Sequence, residues 1–273
     1  MITLSNGAAI PQIGVGTWTL RDETATNNVR LALQAGFRLV DTAQMYENEL
    51  EVGKGIRLSG IAREDIFLTT KVSTTNMRKD ADGIRASINE SLEKLATPYI
   101  NLLLIHWPVQ GCVQKTWQVM EEFVAEGKVS ALGVSNFNRK HLEELLSYAK
   151  VKPVLNQIEV HPLMTQEDNI AYNRSLGIQV QAWGPFGQGH INILDQEVIK
   201  TIAQKYRKTP SQVVLRWIVQ RDLITIPRAK PNHLAENLEV LSFKLTGEDM
   251  DAINGLNQNL RSNENNDPDN FPW

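Results

Sequence analysis

Eight short apolar segments recur along the chain, separated by stretches that have the pattern of a helix. These stretches carry apolar residues at intervals of three and four, as in ADGIRASINESLEKL and KTWQVMEEFVAEG. Strands that alternate with helices of this length predict βαβ units and a parallel sheet. Eight such strands in 273 residues favour a closed (β/α)8 barrel of the TIM type. The predicted strands cover residues 14–18, 38–43, 65–72, 100–107, 130–137, 154–160, 179–184 and 223–228.

Turn residues mark the ends of these elements. Upstream of the first barrel strand, Asn6-Gly7 lies between short apolar stretches, which predicts an N-terminal β-hairpin with a two-residue turn. Further along, four glycines each lie where a helix would end before a strand. These are Gly36, Gly60, Gly127 and Gly177.

No Pro- or Ser-rich linker divides the chain, so we expect a single barrel domain over residues 1–273. The last segment, NQNLRSNENNDPDNFPW, is polar until it ends in Phe271 and Trp273. A polar chain end is often loosely held. The aromatic residues at its close predict instead that this tail folds over the mouth of the barrel.

The composition excludes several classes of partner. A formal net charge of −3 and an isoelectric point near 6.0 indicate no nucleic-acid or anionic-membrane binding. The single cysteine, Cys112, excludes an intramolecular disulfide and fits a reducing compartment. The sequence has neither a signal-peptide pattern nor an apolar run that could span a membrane. We expect a cytoplasmic, monomeric protein that acts on a small molecule.

Four polar side chains lie at or just beyond the ends of three predicted strands. Asp41 lies in the second strand and Tyr46 follows it, whereas Lys71 and His106 lie near the ends of the third and fourth. In a parallel barrel the carboxyl ends of the strands meet at one face, where active sites lie. The sequence therefore predicts that these four side chains converge.

Each of the four also has a purely structural interpretation. Asp41 could cap the following helix, Tyr46 could be a half-buried core aromatic, and His106 could be a hydrogen-bonded core histidine. Lys71 fits this view least well, because a lysine at the end of a buried strand is rare without a partner. The barrel arrangement of all four favours a function.

A phenol beside an ammonium and a carboxylate can serve as a proton donor. Reduction of a carbonyl leaves negative charge on its oxygen, so the site has to deliver a proton there. A nearby lysine lowers the pKa of tyrosine from its usual value of about 10. We therefore predict Tyr46 as the acid, Lys71 as its activator and Asp41 as the anchor of the lysine. His106 would donate a hydrogen bond that orients the carbonyl.

The chain lacks the glycine fingerprint of an open dinucleotide-binding sheet. Gly14 and Gly16 form a G-x-G pair, but Thr17 and Trp18 follow and the third glycine is missing. Other loops would therefore have to hold a nicotinamide cofactor.

Several segments together resemble the aldo-keto reductases over the whole chain. They are GVGTW, GFRLVDTAQMYENELEVG, LTTKV, LLLIHWP, LGVSNF, NQIEVHPLM, QAWGPFGQG and IPRAKPNHLAEN. Within that family, AWGPFGQG and DPDNF are most similar to the bacterial 2,5-diketo-D-gluconate reductases. The resemblance implies an eight-stranded barrel that reduces aldehydes or ketones to alcohols with NADPH. The four polar residues described above match the family's catalytic tetrad.

The resemblance also implies which residues bind the cofactor. Ser135, Asn136 and Gln157 match the residues that hold the nicotinamide carboxamide, although polar groups at strand ends often only satisfy loop backbones. Trp183 matches the aromatic residue that covers the ring. Further cofactor positions are Thr17, Trp18, Gly184, Phe186, Gly187 and Gln188.

The loop after the last strand bears on the choice between NADPH and NADH. Arg228 and Lys230 can face a 2′-phosphate through charge-assisted contacts. Ala229 and His233 stand where related sequences commonly have serine and arginine. We expect NADPH to be preferred, NADH to be tolerated and no metal to be needed. The residues that match the family's adenine contacts are Glu236 and Asn237.

The pocket wall is predicted from the residues around the barrel mouth. The short loop after Trp107 implies an open site for small or polar carbonyls, such as diketogluconate, methylglyoxal-like or keto-ester substrates. Core packing would explain any one of the wall residues equally well. The predicted wall consists of Trp18, Met45, Ser73, Trp107 and either Phe271 or Trp273.

Two other functions remain open at this point. A lysine at a barrel strand end can attack a carbonyl, so Lys71 could serve a Schiff-base lyase. A lysine that is paired to a carboxylate and charged is a poor nucleophile, which disfavours this function. The other is a non-catalytic barrel that senses the cofactor.

Overall fold

A computed structural model describes residues 1–228 and 231–271 of the chain. Its main sheet has eight parallel strands, each paired with the next in chain order. The strands are β1 (Ile2–Thr3), β2 (Ala9–Ile10), β3 (Val15–Gly16), β4 (Leu39–Asp41), β5 (Phe67–Val72), β6 (Leu102–Ile105), β7 (Leu132–Ser135), β8 (Leu155–Glu159), β9 (Gln179–Trp183) and β10 (Ile224–Thr225). Strands β3 to β10 form the main sheet, and all eight predicted strands are confirmed.

The first and last strands of this sheet meet and close it into a barrel. A parallel bridge pairs Ile13 with Thr225, and the Gly14 amide donates to the Thr225 carbonyl at 2.9 Å. The Gly16 amide donates to the Pro227 carbonyl at 3.1 Å. A Cβ on Gly16 would lie 2.7 Å from the Ile226 carbonyl oxygen, so this approach requires glycine. The predicted (β/α)8 barrel is confirmed.

Helices connect the strands, and four of them end at or within two residues of the glycines predicted to stop them. Those glycines have φ between 71° and 114°. The helices are α1 (Asp22–Ala35), α2 (Glu49–Ser59), α3 (Thr74–Met77), α4 (Ala81–Leu95), α5 (Val113–Ala125), α6 (Arg139–Leu146), α7 (Glu167–Ser175), α8 (Glu197–Tyr206), α9 (Pro210–Gln220), α10 (Leu234–Leu238) and α11 (Gly247–Asn254). Short 3₁₀ turns cover Gln44–Tyr46, Arg63–Asp65, Gly187–Gly189, Pro231–His233, Glu239–Ser242 and Glu264–Asn266.

The antiparallel hairpin of β1 and β2 covers the amino end of the barrel. Its Leu4 and Ile10 belong to the same buried cluster as Phe67, the first residue of β5. The hairpin is confirmed, but its loop has three residues rather than the predicted two. The Gly7 amide donates to the Leu4 carbonyl at 2.9 Å, and Gly7 alone in this turn has a positive φ, so it forms a bulge after the turn.

The barrel interior is packed with apolar side chains. Inward-facing Leu39, Leu104, Leu155 and Ile224 are all fully buried in one cluster. Three further clusters lie between the strands and the surrounding helices. With the hairpin at one end and an apolar centre, the carboxyl end is the part of the barrel where a site would be expected.

Candidate active site

A cavity of about 530 Å³ opens at the carboxyl ends of the barrel strands. It brings together most of the residues that the sequence singled out. The predicted residues that line it are Thr17, Trp18, Asp41, Met45, Tyr46, His106, Trp107, Ser135, Asn136, Gln157, Trp183, Gly184, Phe186, Gln188, Arg228 and Phe271. Gly187 was also predicted, but it does not line the cavity.

Lys71 lies directly beneath the cavity and is fully buried. Its ammonium donates to Asp41 Oδ1 at 2.6 Å, to the Thr42 carbonyl at 2.9 Å and to Tyr46 Oη at 3.4 Å. A lysine ammonium has three hydrogens, and each of them has an acceptor here. The lysine is therefore fixed in place, and its charge adjoins both the carboxylate and the phenol.

Asp41 is held through both of its carboxylate oxygens. Oδ1 accepts from Lys71, and Oδ2 accepts from Gln157 Nε2 at 2.7 Å. The same Gln157 nitrogen donates to Gln181 Oε1 at 2.8 Å. The Asp41 side chain thus binds other side chains of the barrel interior, and Asn48 occupies the N-cap of the following helix. The interpretation of Asp41 as a helix cap is wrong.

The charges at this site shift the pKa values of the neighbouring groups. Burial alone would lower the pKa of Lys71, but the charge of Asp41 and the hydrogen bonds to Asp41 and Tyr46 raise it above its usual value. Burial raises the pKa of the Tyr46 phenol, and the opposing effect of Lys71 does not cancel it. Lys71 lowers the pKa of Tyr46 as predicted, but the expectation of a pKa below the usual value is wrong, because burial outweighs the ammonium.

His106 lies across from Tyr46, with the two ring centroids 5.6 Å apart and an edge-to-face angle of 75°. Burial, assisted by the charge of Lys71, holds the pKa of His106 well below its usual value. The imidazole is therefore neutral near pH 7. Its Nδ1 is buried and makes no hydrogen bond within the described part of the chain.

The groups predicted to hold a carboxamide form the adjoining wall of the cavity. Asn136 donates to the His106 carbonyl at 3.0 Å and accepts from Trp183 Nε1 at 2.8 Å. Ser135 Oγ donates to the Gln157 carbonyl at 3.0 Å. A half-buried indole beside amide and hydroxyl groups fits a flat ring that carries a carboxamide.

The loop after β9 extends this wall. Gly184, Gly187, Gln188 and Gly189 all have φ between 55° and 82°. Among residues 1–228 and 231–271, the atom near a Cβ on Gly184 would be Gln188 Cγ at 3.7 Å, so Gly184 leaves space beside it in the cavity. Beyond the loop, exposed Arg228 lines the cavity and hydrogen-bonds Thr19. Such a cation suits the phosphate end of a nucleotide.

Several predicted residues lie away from the cavity. Ser73 is buried and caps α3, where its Oγ accepts from the Asn76 amide at 3.1 Å, so the structure does not place it in the pocket wall. His233 and Glu236 bind each other at 3.0 Å outside the lining, and Asn237 is buried in α10. Predicted positions outside the described residues are Ala229, Lys230 and Trp273.

The cavity also includes residues that the sequence did not indicate. His190 follows the tight Gly187–Gly189 turn, and Asn263 and Asn266 belong to the tail. The glycine spacing of that turn was the one available signal for His190. Nothing in the polar tail marks which of its asparagines face inward. The remaining unpredicted lining residues are Gly16, Pro185, Gly189 and Ile226.

The tail lies over the mouth of the barrel as predicted, as far as residue 271. The Phe271 ring stacks on Trp107, with centroids 3.7 Å apart and an interplanar angle of 8°. Asp269 accepts from Asn138 at 2.9 Å, and the Ser262 amide donates to buried Glu159 at 2.8 Å. The tail thus completes one side of the cavity.

Over residues 1–228 and 231–271, no helix is long and apolar enough to cross a membrane. Within the same residues, no group of three or more histidine, cysteine or acidic side chains is arranged to hold a metal ion.

Comparison with known proteins identifies the family. Residues 12–258 match the model of the Aldo/keto reductase family. The chain is 42% identical to the glyoxal reductase of Bacillus subtilis over 97% of this chain and 96% of the relative. It is 38% identical to the methylglyoxal reductase DkgA of Escherichia coli K12, covering 99% and 98% of the two chains.

A solved structure of another aldo-keto reductase supports the same family assignment. The aldo-keto reductase of Bombyx mori in complex with NADP superposes with a TM-score of 0.91 at 35% identity, covering 99% of this chain and 97% of the other. The closer resemblance to diketogluconate reductases stays a prediction. The chain belongs to the aldo/keto reductase family and is an NAD(P)H-dependent oxidoreductase of carbonyl compounds.

Proposed function

We propose that this protein reduces small or polar aldehydes and ketones to alcohols with NADPH, and that Tyr46 donates the proton. One observation carries the proposal. All three hydrogens of Lys71 have acceptors, and one of them is directed at Tyr46 Oη. Because the lysine acts there as the donor, the phenol keeps its own hydrogen for an acceptor in the cavity.

The raised pKa of Tyr46 is consistent with this role. The phenol is protonated near pH 7, but its raised pKa also makes it a weaker acid than a free tyrosine, so it needs a strong base to take its proton. As the carbonyl oxygen gains negative charge, it becomes a stronger base and takes the phenol hydrogen. The ammonium of Lys71 then stabilises the phenolate, and Asp41 keeps that ammonium charged and in place.

His106 is suited to orient the carbonyl. A neutral imidazole carries one N–H, and a proton on Nδ1 would be buried without an acceptor. This cost favours the proton on Nε2. We propose that Nε2–H donates to the carbonyl oxygen of the substrate, on the same cavity floor as the Tyr46 phenol.

The nicotinamide cofactor supplies the hydride when it is bound. Ser135, Asn136 and Gln157 would hold its carboxamide, and Trp183 would cover its ring. Both hydrogens of the Gln157 amide are engaged by Asp41 and Gln181, so Gln157 can only accept from the carboxamide. Arg228, exposed at the outer end of the cavity, supports a preference for the phosphorylated cofactor.

The cavity wall supports a small or polar substrate. The aromatic residues Trp18, Trp107 and Phe271 line the cavity together with the polar residues Asn263 and Asn266. Such a mixture can pack against a short carbon skeleton and still hydrogen-bond its hydroxyl or carbonyl groups. The names of two relatives, a glyoxal reductase and a methylglyoxal reductase, support the same substrate class.

The other two functions gain no support. A Schiff base requires an uncharged lysine with a free lone pair. Lys71 has a raised pKa and all of its hydrogens engaged, so it is a poor nucleophile. A cofactor sensor without turnover would not need the proton donor, and turnover measurements separate it from a reductase.

The test follows NADPH oxidation with glyoxal, methylglyoxal, a keto ester and diketogluconate. We expect turnover with at least one of them, and we expect Tyr46→Phe to lower kcat by about 10²–10⁴-fold while leaving NADPH binding unchanged. Tyr148→Phe is the matched control, because burial also raises the pKa of Tyr148, to about 12, but Tyr148 does not line the cavity. Full activity of Tyr46→Phe would contradict the proposed role.

A parallel comparison of NADPH with NADH tests the cofactor preference. We expect a higher kcat/KM with NADPH and measurable turnover with NADH. A preference for NADH would remove Arg228 from its proposed place beside the phosphate.

A further inference from the structure

Tyr46 differs from Asp41, Lys71 and His106 in how the chain holds it. It ends the 3₁₀ turn Gln44–Tyr46, which lies beyond strand β4. The Tyr46 amide donates to the Ala43 carbonyl at 3.0 Å, and the next residue, Glu47, has a φ of 51°. A single turn has few hydrogen bonds of its own, so its position depends on what surrounds it.

On one side, the side chain of Gln44 binds the turn to its neighbours. Its Oε1 accepts from the Ser73 amide and from Asn76 Nδ2, both at 2.9 Å. Its Nε2 donates to the Ser87 carbonyl at 3.1 Å and to Ser91 Oγ at 3.0 Å. These four bonds, with a longer fifth contact from Nε2 to Ser87 Oγ at 3.5 Å, reach the residue after β5, helix α3 and helix α4.

On the other side, Asn48 binds the turn to the loop after β3. Its Nδ2 donates to the carbonyls of Thr17 at 2.9 Å and Leu20 at 3.0 Å, and its Oδ1 accepts from Thr42 Oγ1 at 2.8 Å. Asn48 is fully buried. The amide orientation is determined, because carbonyl oxygens cannot donate and therefore must face the nitrogen.

We propose that Gln44 and Asn48 are positioning residues for the proton donor, which hold the turn from opposite sides and keep Tyr46 Oη beside Lys71 Nζ. The inference rests on the proposed role of Tyr46. Neither side chain takes part in the described bonds of the seam between β3 and β10, and neither lines the cavity. Their bonds converge on the one stretch of chain that carries the phenol.

The expected effect follows from geometry. The Tyr46–Lys71 contact is already long at 3.4 Å, so a small outward shift of the turn would break it. A displacement of about 1 Å at a reacting group can cost about a hundredfold in rate. We therefore expect Gln44→Met, which keeps the volume and removes all four bonds, to lower kcat by roughly 10- to 100-fold.

The experiment compares Gln44→Met with Gln12→Met. Gln12 is also half-buried and also binds a backbone carbonyl, that of Val219 at 2.8 Å, but it lies outside the cavity lining. Each variant is measured for kcat, KM, the pH profile of kcat, NADPH affinity by quenching of tryptophan fluorescence, and thermal unfolding. We expect Gln44→Met to lower kcat and to alter the pH profile of kcat, with unchanged NADPH affinity. We expect Gln12→Met to match the wild type in kcat and in its pH profile.

Gln44→Glu serves as the second variant. It keeps the oxygen that accepts from Ser73 and Asn76 and loses the amide donors to Ser87 and Ser91. We expect it to fall between the wild type and Gln44→Met, and it decides the question if Gln44→Met fails to fold.

The contrary outcomes are distinct. Wild-type kcat in a folded Gln44→Met, or a lower kcat with an unchanged pH profile that follows only the folded fraction, would overturn the inference. If Gln44→Met unfolds, wild-type kcat and pH profile in Gln44→Glu would overturn it. Activity in Tyr46→Phe would instead overturn the proposed function itself.

Discussion

The floor of the cavity and its rim are held together in different ways. The floor consists of Asp41, Tyr46, Lys71 and His106, and its Lys71–Asp41 pair is almost completely buried at 2.6 Å. The rim consists of Arg228 and the tail residues 261–271, whose charged groups contact water. There, the Lys140–Asp269 pair at 3.2 Å leaves its side chains 60% and 40% exposed.

Depth determines what each region can do. A charge pair in the low-dielectric interior interacts strongly and cannot be replaced by water, whereas an exposed pair is screened by solvent and salt. The floor therefore suits chemistry that needs one fixed arrangement. The rim suits the choice of cofactor and substrate, because changes there cost little stability.

The largest predicted effect compares the two ion pairs directly. Lys71→Met leaves the buried Asp41 carboxylate without its partner, and we expect the free energy of unfolding to fall by about 3–5 kcal/mol. Lys140→Met removes the partner of Asp269 at the rim and should change the free energy of unfolding by less than about 1 kcal/mol. Urea denaturation at pH 7.5 measures both. Equal effects would remove the distinction between floor and rim.

The next effect concerns affinity at the rim. We expect Arg228→Ala to weaken NADPH binding roughly tenfold and to leave NADH binding unchanged, because one charge-assisted contact to the phosphate is lost. Tryptophan fluorescence titration measures both dissociation constants. Arg30→Ala, a half-buried arginine on α1 outside the cavity, is the control. An equal loss for the two cofactors would place Arg228 away from the phosphate.

A pH effect follows from the floor histidine. The folded-state pKa of His106 is depressed well below that of an unfolded histidine, about 6.5, so the unfolded chain takes up the proton first. His106 therefore contributes stability above pH 6.5 that is lost as the pH falls. Between pH 7.5 and 5.5 this contribution is at most roughly 1.4 kcal/mol, the limit for a folded-state histidine that stays neutral throughout.

His106→Gln isolates that contribution. From pH 7.5 to pH 5.5 we expect the free energy of unfolding to fall less in the variant than in the wild type. The difference is at most roughly 1.4 kcal/mol. Urea denaturation at pH 7.5 and pH 5.5 measures it. Parallel losses in the two proteins would show that His106 is not held neutral.

The smallest predicted effect lies in the tail. Phe271→Ala removes the ring that stacks on Trp107, an interaction of about 0.5–1.5 kcal/mol. We expect KM for the carbonyl to rise about threefold while kcat changes less than twofold, as for a contact made equally before and during the reaction. Leu260→Ala, a tail residue outside the cavity lining, should leave both constants unchanged. A change in kcat alone would connect the tail to the floor.

The difference between the floor and the rim of the cavity also explains which site residues the sequence could predict. Asp41, Lys71 and His106 lie within or directly after apolar runs, and barrel geometry alone brings such strand ends together. Asn263 and Asn266 reach the cavity through long-range contacts such as Ser262 to Glu159, which no local pattern records. The cavity was therefore predictable at its floor and only in part at its rim.

Two errors have equally physical causes. Ser73 lies only two residues beyond Lys71, but the chain turns into α3 there and uses the serine as its cap. The raised pKa of Tyr46 depends on how completely other segments bury the phenol, and sequence proximity to a lysine carries no measure of that.

The seam that closes the barrel has a consequence for its motions. Strands β3 and β10 are two residues long, and the bridge at the seam pairs Ile13, just before β3, with Thr225 of β10, whereas β5 and β6 pair over four residues beside Lys71. Breathing of the ring would begin at the shorter ladder, so the Gly14 and Thr225 amides would exchange for deuterium before those of β5. Thr17 and Arg228, which follow the two strands of the seam in the chain, both line the cavity. We therefore expect the barrel to loosen first on the side where Thr17 and Arg228 line the cavity, before the strands that carry Lys71.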